Sequence, residues 1–206
     1  MSLWPPDVQE RAKELIGRYP DPKSAVMPLL YLAMRQDGYL TETGMQEVAG
    51  WTGHSPAQVQ SVATFYGMFK TEPLGKYLVS VCTSISCMLL GSDAVLESVE
   101  DETGVPNGET DADGLFSVEH VECLGACGGA PAVQVNYELV EGSTPDQARS
   151  LCRWLRDDRP ETVNTDEMQD RFGGRRSFDW AIAEVDRAIG PFPAFGPYGT
   201  VQKGDE

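Results

Sequence analysis

The sequence predicts an α+β protein, with a helical bundle at its start and alternating strands and helices in its middle. Residues 1–72 repeat apolar side chains at helical spacing between capping and breaking residues. Residues 73–158 alternate short β-branched runs with helix-like segments. Residues 159–206 follow as a C-terminal extension of different character. The 206 residues, 41% of them hydrophobic, suffice for two small domains with cores of their own.

Four helices are predicted in the first part of the chain. The first should start at a capping box at Asp7 and end at the proline-rich residues 20–22. The second falls within residues 24–38 and is apolar nearly all round, so that it should be buried. A third is expected over residues 43–51. The fourth should begin at Ser55, because Ser-Pro-Ala-Gln combines an N-cap, a proline at the first helical position and a capping-box glutamine.

The middle part of the chain predicts four strands and two helices. One helix is expected over residues 88–101, and a capping box at Thr144 should start the other. Asn136-Tyr137 would form a tight turn between the last two strands. Strand, helix, strand, then strand, strand, helix is the order of a small thioredoxin-like domain. The strands are expected at residues 76–82, 115–121, 132–135 and 138–140.

The C-terminal extension predicts one further helix. It should start at Ser177, where apolar side chains recur on one side. Residues 191–199 contain three prolines, which remove backbone donors and exclude regular structure. We expect residues 159–206 to contact a partner or to be partly disordered.

Charge and hydropathy exclude several classes of function. Of the net charge of −16, residues 76–159 carry −10 (5 basic and 15 acidic), which argues against nucleic-acid binding. The longest mostly apolar stretch has ten residues, too short for insertion in a membrane. The first residues lack the features of a signal peptide, so the chain should stay in the cytoplasm. No nucleotide-binding fingerprint occurs, and the chain should not bind NADH alone.

Four of the five cysteines form two pairs. Cys82 and Cys87 have the spacing C-x4-C, and Cys123 and Cys127 follow 35 residues later as C-x3-C. Two parallel strands of a right-handed βαβ unit end at the same sheet edge, so the pairs should meet there. In the cytoplasm such a set indicates a metal or redox site before disulfides. Zinc, an iron-sulfur cluster and two disulfides are the alternatives, whereas Cys152 should be a core residue.

The flanking residues favour an iron-sulfur cluster. Glycines surround Cys127, and they let backbone N–H groups approach cluster sulfurs closely. The spacings are at the loose end for zinc. A Rieske centre needs two histidine ligands, and neither His54 nor His120 has the spacing to replace a cysteine. Nine acidic residues and no Lys or Arg lie in residues 97–122, which predicts a low reduction potential.

Two segments resemble a known family. Val-Cys-Thr-Ser-Ile-Ser-Cys-Met-Leu (residues 81–89) and Glu-Cys-Leu-Gly-Ala-Cys-Gly-Gly-Ala-Pro (residues 122–131) closely resemble the thioredoxin-like [2Fe-2S] subunit of bacterial respiratory complex I. Val-Ala-Thr-Phe-Tyr-Gly-Met-Phe (residues 62–69) is similar to the helical-domain signature of that family. The resemblance covers roughly residues 5–157, and the motifs agree in order and spacing.

The resemblance implies one [2Fe-2S] cluster with Cys82, Cys87, Cys123 and Cys127 as its ligands. It implies single-electron exchange with the flavin of an adjacent NADH-binding subunit of NADH:quinone oxidoreductase, with no substrate chemistry on this chain alone. The chain would lie beside other peripheral-arm iron-sulfur subunits, on the cytoplasmic side of the inner (plasma) membrane. Two alternatives stay open: the equivalent subunit of a NAD-linked hydrogenase or formate dehydrogenase, and a zinc-stapled interaction module.

Overall fold

A computed structural model describes residues 2–177, and the chain divides into two compact units between Pro73 and Leu74. The first unit is helical, and the second combines a five-stranded sheet with helices, which confirms the α+β class. The helix expected from Ser177 and the proline-rich residues 191–199 lie outside the described residues. Within residues 2–177 no helix has the length and apolar character needed to cross a bilayer.

The first unit contains four α-helices, as predicted. Its third helix is capped by Thr41, whose Oγ1 accepts a hydrogen bond from the Gly44 N–H at 2.9 Å. Ser55 and Gln58 form the predicted capping box of the fourth. The second helix buries Leu29 and Met34 and ends at Gly38, whose φ of 84° suits glycine. The helices are α1 (Pro6–Ile16), α2 (Val26–Asp37), α3 (Glu42–Thr52) and α4 (Pro56–Phe65).

The predicted start and end of α1 are wrong. Pro5 is the N-cap and makes no side-chain cap, so Asp7 lies inside the first turn, where its charge favours the helix N-terminus. The helix ends at Ile16 rather than at the prolines, because the next turn tightens and the Arg18 N–H bonds to the Leu15 carbonyl at 3.3 Å. A 3-10 helix, Pro22–Ala25, also delays the start of α2.

The second unit is built on a mixed sheet with the strand order β2-β3-β1-β4-β5. The central strand β1 is buried along its whole length, pairs with β3 in parallel and pairs with β4 in antiparallel orientation. The predicted strands are confirmed, and a two-residue exposed strand, β2, was not predicted. The strands are β1 (Tyr77–Cys82), β2 (Glu109–Thr110), β3 (Phe116–Val121), β4 (Ala132–Val135) and β5 (Glu138–Glu141).

The helices of the second unit differ from the prediction at two places. The single helix expected over residues 88–101 is two helices, because Gly91 lies between them with a φ of 95° that ends the first. A helix that was not predicted follows in the extension. The helices are α5 (Ile85–Leu89), α6 (Ser92–Thr103), α7 (Pro145–Asp158) and α8 (Thr165–Phe172).

Helix α8 packs on the second unit. Met168 and Phe172 are buried in the same core as α7, and the Phe172 ring lies 5.4 Å from the Trp154 ring. The Arg171 guanidinium lies 4.6 Å from the Trp154 ring centroid, which adds a cation–π contact. The first part of the extension therefore belongs to the fold of this unit.

The turn between β4 and β5 is tied to β1 by one side chain. Asn136 and Tyr137 both have positive φ, 51° and 69°, which confirms the tight turn. The Asn136 Oδ1 accepts from the Leu78 N–H at 2.8 Å, and its Nδ2 donates to the Lys76 carbonyl at 3.0 Å. Because Asn136 is only 1% exposed, water cannot replace these bonds.

Two substitutions of Asn136 should separate the contribution of its side-chain hydrogen bonds from that of its backbone conformation. Asn136→Gly removes both side-chain hydrogen bonds and keeps a residue that tolerates positive φ, and we expect a loss of about 2–4 kcal/mol. Asn136→Ala adds backbone strain and should cost about 1 kcal/mol more. Denaturant unfolding of the full-length chain measures both values. A glycine variant as stable as the wild type would contradict the assigned role.

Candidate iron-sulfur cluster site

The first cysteine pair is held by the core of the second unit. Cys82 is the last residue of β1, and Cys87 lies in α5, which begins three residues later. Each is only 2% exposed, and both pack with Ala126 and Ala132. A buried strand and a short helix therefore position these two thiols.

The second cysteine pair lies on an exposed loop. Cys123 follows β3, and Cys127 starts the 3-10 helix Cys127–Gly129. The two Sγ atoms are 3.6 Å apart. The Gly125 N–H donates to the Cys123 Sγ at 3.4 Å, and the φ of 80° at Gly125 lets the loop turn back.

Parallel pairing of β1 and β3 brings both pairs to one edge of the sheet. Cys82 is in register with Val121, and the Thr83 N–H continues the ladder by donating to the Val121 carbonyl at 3.1 Å. Cys123 is only two residues beyond this last paired position. The β-ladder thus delivers the two cysteine segments to the same place, as predicted.

Burial controls the protonation of Cys87. It raises the pKa of the Cys87 thiol to about 11; the adjacent Cys82 thiol and the nearby Cys127 raise it as well. The Ala132 N–H donates to the Cys87 sulfur and acts in the opposite direction, because it stabilises the thiolate. A metal bound here must displace the thiol protons, as at other cysteine sites.

The donor set fits a two-iron cluster. All five cysteines are free thiols, and four of them form the two pairs at this edge. In a [2Fe-2S] cluster each iron takes two cysteine ligands, so two pairs match its needs. Within residues 2–177 no group of three or more His, Cys, Asp or Glu side chains is gathered closely enough to hold a metal ion. Leu124, Ala130 and Leu139 add an apolar lining.

Gly128 and Gly129, which follow Cys127, lie where another part of the chain packs against the loop. A Cβ at Gly129 would lie 2.5 Å from the Glu141 Oε1, and one at Gly128 would lie 3.1 Å from the Ser177 Oγ. A side chain at either position would therefore crowd this contact. That glycines around Cys127 let backbone N–H groups approach the sulfurs of a cluster stays a prediction.

The remaining predicted residues have structural roles. The His54 Nδ1 lies 3.0 Å from the Thr52 Oγ1, and the Asn107 Nδ2 lies 2.8 Å from the His120 Nδ1. Cys152 is fully buried, as predicted, and burial raises the pKa of its thiol to about 12.

Several of the nine acidic side chains hold the fold together. Glu102 accepts from the Arg153 Nε at 2.8 Å and from the Arg156 Nη1 at 2.7 Å. Asp111 accepts from the Leu115 N–H at 2.6 Å. Glu122, next to Cys123, accepts from the Ser84 Oγ at 3.1 Å and links the two cysteine segments. No signal in the sequence indicated this last contact.

Comparison with known proteins identifies the fold and the relatives of the chain. A protein of Mycobacterium bovis that is named as a subunit of NADH-quinone oxidoreductase is 45% identical over 161 residues, 76% of this chain. The alignment spans 64% of that relative's length. NADH-quinone oxidoreductase subunit 2 of Thermus thermophilus is 37% identical over 73% of this chain and 84% of its own.

A solved structure shares the fold. The NAD+-reducing [NiFe]-hydrogenase in the air-oxidized state matches 70% of this chain and 25% of its own, with a TM-score of 0.59 and 19% identity. The model of the family described as thioredoxin-like [2Fe-2S] ferredoxin matches residues 12–156. The cofactor of that family is a [2Fe-2S] cluster. With its two cysteine pairs inside the matched residues, this chain belongs to the thioredoxin-like [2Fe-2S] ferredoxin family.

Proposed function

We propose that this chain is the electron-transfer subunit of the NADH-oxidising module of an NADH:quinone oxidoreductase. It would exchange single electrons with the flavin of an adjacent NADH-binding subunit. The observation that carries the proposal is the meeting of two cysteine pairs at one sheet edge, in a chain 37–45% identical to named subunits of that enzyme.

The proposed cluster ligands are Cys82, Cys87, Cys123 and Cys127. The first two are supplied by β1 and α5, and the other two by the loop after β3. When bound, the cluster supplies a one-electron carrier. The four thiols would hold it, with Leu124, Ala130 and Leu139 as an apolar lining and the Gly125 and Ala132 N–H groups directed at two of the sulfurs. It carries out no bond-making chemistry on a substrate.

An exposed apolar surface next to the site supports electron exchange with a partner. Three apolar side chains of α5 and that of the residue after it are between 46% and 75% exposed. Cys87, in the same helix, is buried. Contiguous apolar side chains in water mark interaction sites. We propose that the flavin- and NADH-binding subunit covers them. This surface, the α5 patch, consists of Ile85, Met88, Leu89 and Leu90.

The same proposal assigns a location and further partners. As part of the complex, the chain would lie on the cytoplasmic side of the inner (plasma) membrane, with other peripheral-arm iron-sulfur subunits nearby. The names of the relatives support membership of a multi-subunit enzyme.

The second candidate is the equivalent subunit of a NAD-linked hydrogenase. The structural likeness to the NAD+-reducing [NiFe]-hydrogenase favours it, but at 19% identity that likeness concerns the fold alone. The relatives at 37–45% identity favour the first candidate. No specific observation favours a formate dehydrogenase, and the family match favours a cluster over zinc.

Metal analysis tests the ligand assignment. Anaerobically purified protein should contain about two iron and two acid-labile sulfide atoms per chain and negligible zinc. Cys82→Ser and Cys127→Ser should each lose or deform the cluster, because a serine hydroxyl is a poor replacement for a thiolate ligand. Iron and sulfide assays with visible absorbance measure the effect.

Cys152→Ser is the matched control for these variants. It also replaces a cysteine by serine, at a buried position outside the site. It should lower the free energy of unfolding by about 1–3 kcal/mol, and the folded chain should keep its cluster. An unaltered visible spectrum in Cys82→Ser or Cys127→Ser would refute the assignment. One zinc per chain without sulfide would favour the interaction module.

A charge placed in the α5 patch tests partner binding. Leu89→Asp should weaken binding to the flavin- and NADH-binding subunit by about tenfold or more, because a buried unpaired carboxylate opposes association. Calorimetric titration of the cluster-loaded chain with that subunit gives the Kd. Leu3→Asp is the control, since Leu3 is also 75% exposed but lies in the other unit. Equal affinities for Leu89→Asp and wild type would rule out the α5 patch as the contact.

A further inference from the structure

Helix α8 packs on β5, and the residues after it lie against the loop that carries Cys127. This part of the chain follows the residues that the family model matches, which end at 156. Together α8 and residues 173–177 are called the brace. The brace contacts the cysteine site through β5 and the turn after it.

The brace is anchored to the edge strand β5 by one buried side chain. The Gln169 Oε1 accepts from the Glu141 N–H at 2.7 Å, and its Nε2 donates to the Glu141 carbonyl at 3.0 Å. The amide therefore pairs with the main chain of β5 as a neighbouring strand would. Gln169 is buried, so these bonds have no competition from water.

Residues 173–177 continue from this anchor along Glu141. The Gly174 N–H donates to the Glu141 carbonyl at 2.8 Å, and the Ser177 N–H donates to the Glu141 Oε1 at 3.0 Å. The Gln147 Nε2 holds the start of the segment by donating to the Gly173 carbonyl at 2.8 Å. The segment is thus fixed at both ends.

The brace leaves no room between itself and the cysteine loop. In the turn after β5, the Gly142 N–H donates to the Gly129 carbonyl at 2.5 Å, and the brace packs on the other side of this turn at Gly174 and Arg175. A Cβ at Gly129 would lie 2.7 Å from the Arg175 carbonyl oxygen, and one at Gly128 would lie 3.2 Å from the Ser177 Cα. Both glycines directly follow Cys127, so the brace packs against the 3-10 helix in which this cysteine lies.

The two cysteine pairs need this support to different extents. Cys82 and Cys87 are buried and are held by a strand and a helix of the core, whereas Cys123 and Cys127 are exposed. The position of the exposed pair therefore depends on the residues that pack against its loop, such as Arg175 and Ser177. We propose that the brace positions Cys127 for cluster binding and thereby slows loss of the cluster. This inference rests on the ligand assignment of the proposed function.

Removal of the anchor tests the brace in the full-length, cluster-loaded protein. Gln169→Ala should release iron to a chelator about tenfold faster than wild type under anaerobic conditions, since it removes two buried hydrogen bonds. Thr165→Ala is the matched control. Thr165 lies in the same helix and binds the other end of β5, with its Oγ1 3.1 Å from the Leu139 N and 2.7 Å from the Glu138 Oε2. It should change the rate by about twofold or less.

A second variant displaces the segment and leaves α8 intact. A Cβ at Gly174 would lie 2.6 Å from the Gly142 carbonyl oxygen, so Gly174→Ala should push residues 173–177 away from the loop. It should also speed iron release, with a change in the visible circular dichroism of the bound cluster. This variant gives a result even where Gln169→Ala fails to fold.

The outcomes separate this inference from the proposed function. Wild-type release rates in both Gln169→Ala and Gly174→Ala would overturn the brace and leave the function standing. Equal acceleration in Thr165→Ala and Gln169→Ala would also overturn it, because α8 would then only stabilise the domain. A wild-type chain that holds no iron and sulfide would instead refute the function and the ligand assignment.

Discussion

The site depends on the parallel pairing of β1 and β3. Because the two strands run in the same direction and in register, the residue that ends β1 faces the residue that ends β3. One cysteine of the first pair is that terminal residue, and the second pair starts two residues past the other strand end. A slip of this ladder by one residue would turn the side chains of β3 to the opposite face and separate the two pairs.

The two cysteine pairs are held in position in two different ways. Core packing holds the buried pair, and the turn after β5 holds the loop of the exposed pair by a hydrogen bond from the Gly142 N–H to the Gly129 carbonyl. Backbone N–H groups at Gly125 and Ala132 reach one sulfur in each pair. The exposed α5 patch lies beside the buried pair, which would place the proposed electron-transfer contact close to the proposed cluster ligands.

Local chemistry explains which elements could be predicted. The capping boxes at Ser55 and Thr144 and the turn at Asn136 each involve residues within three positions of one another, and all three are present in the structure. The start of α1 was wrong because Pro5 can begin a helix without a side-chain cap. The break at Gly91 was missed because glycine inside a helical pattern is often tolerated.

The sequence by itself determined the cysteine spacing, the order of the four longer strands and the family resemblance, since these depend on residue type and short-range pattern. Only the tertiary structure decided that α8 packs on the second unit and that residues 173–177 reach the loop of Cys127. The contacts of residues 173–177 join positions about 30 to 50 apart and use the main-chain groups of that segment, which carry no signature in the sequence. Gln169 is an example of such a contact. Its side-chain amide bonds the main chain of the edge strand β5 where a neighbouring strand would, and this requires β5 to be folded.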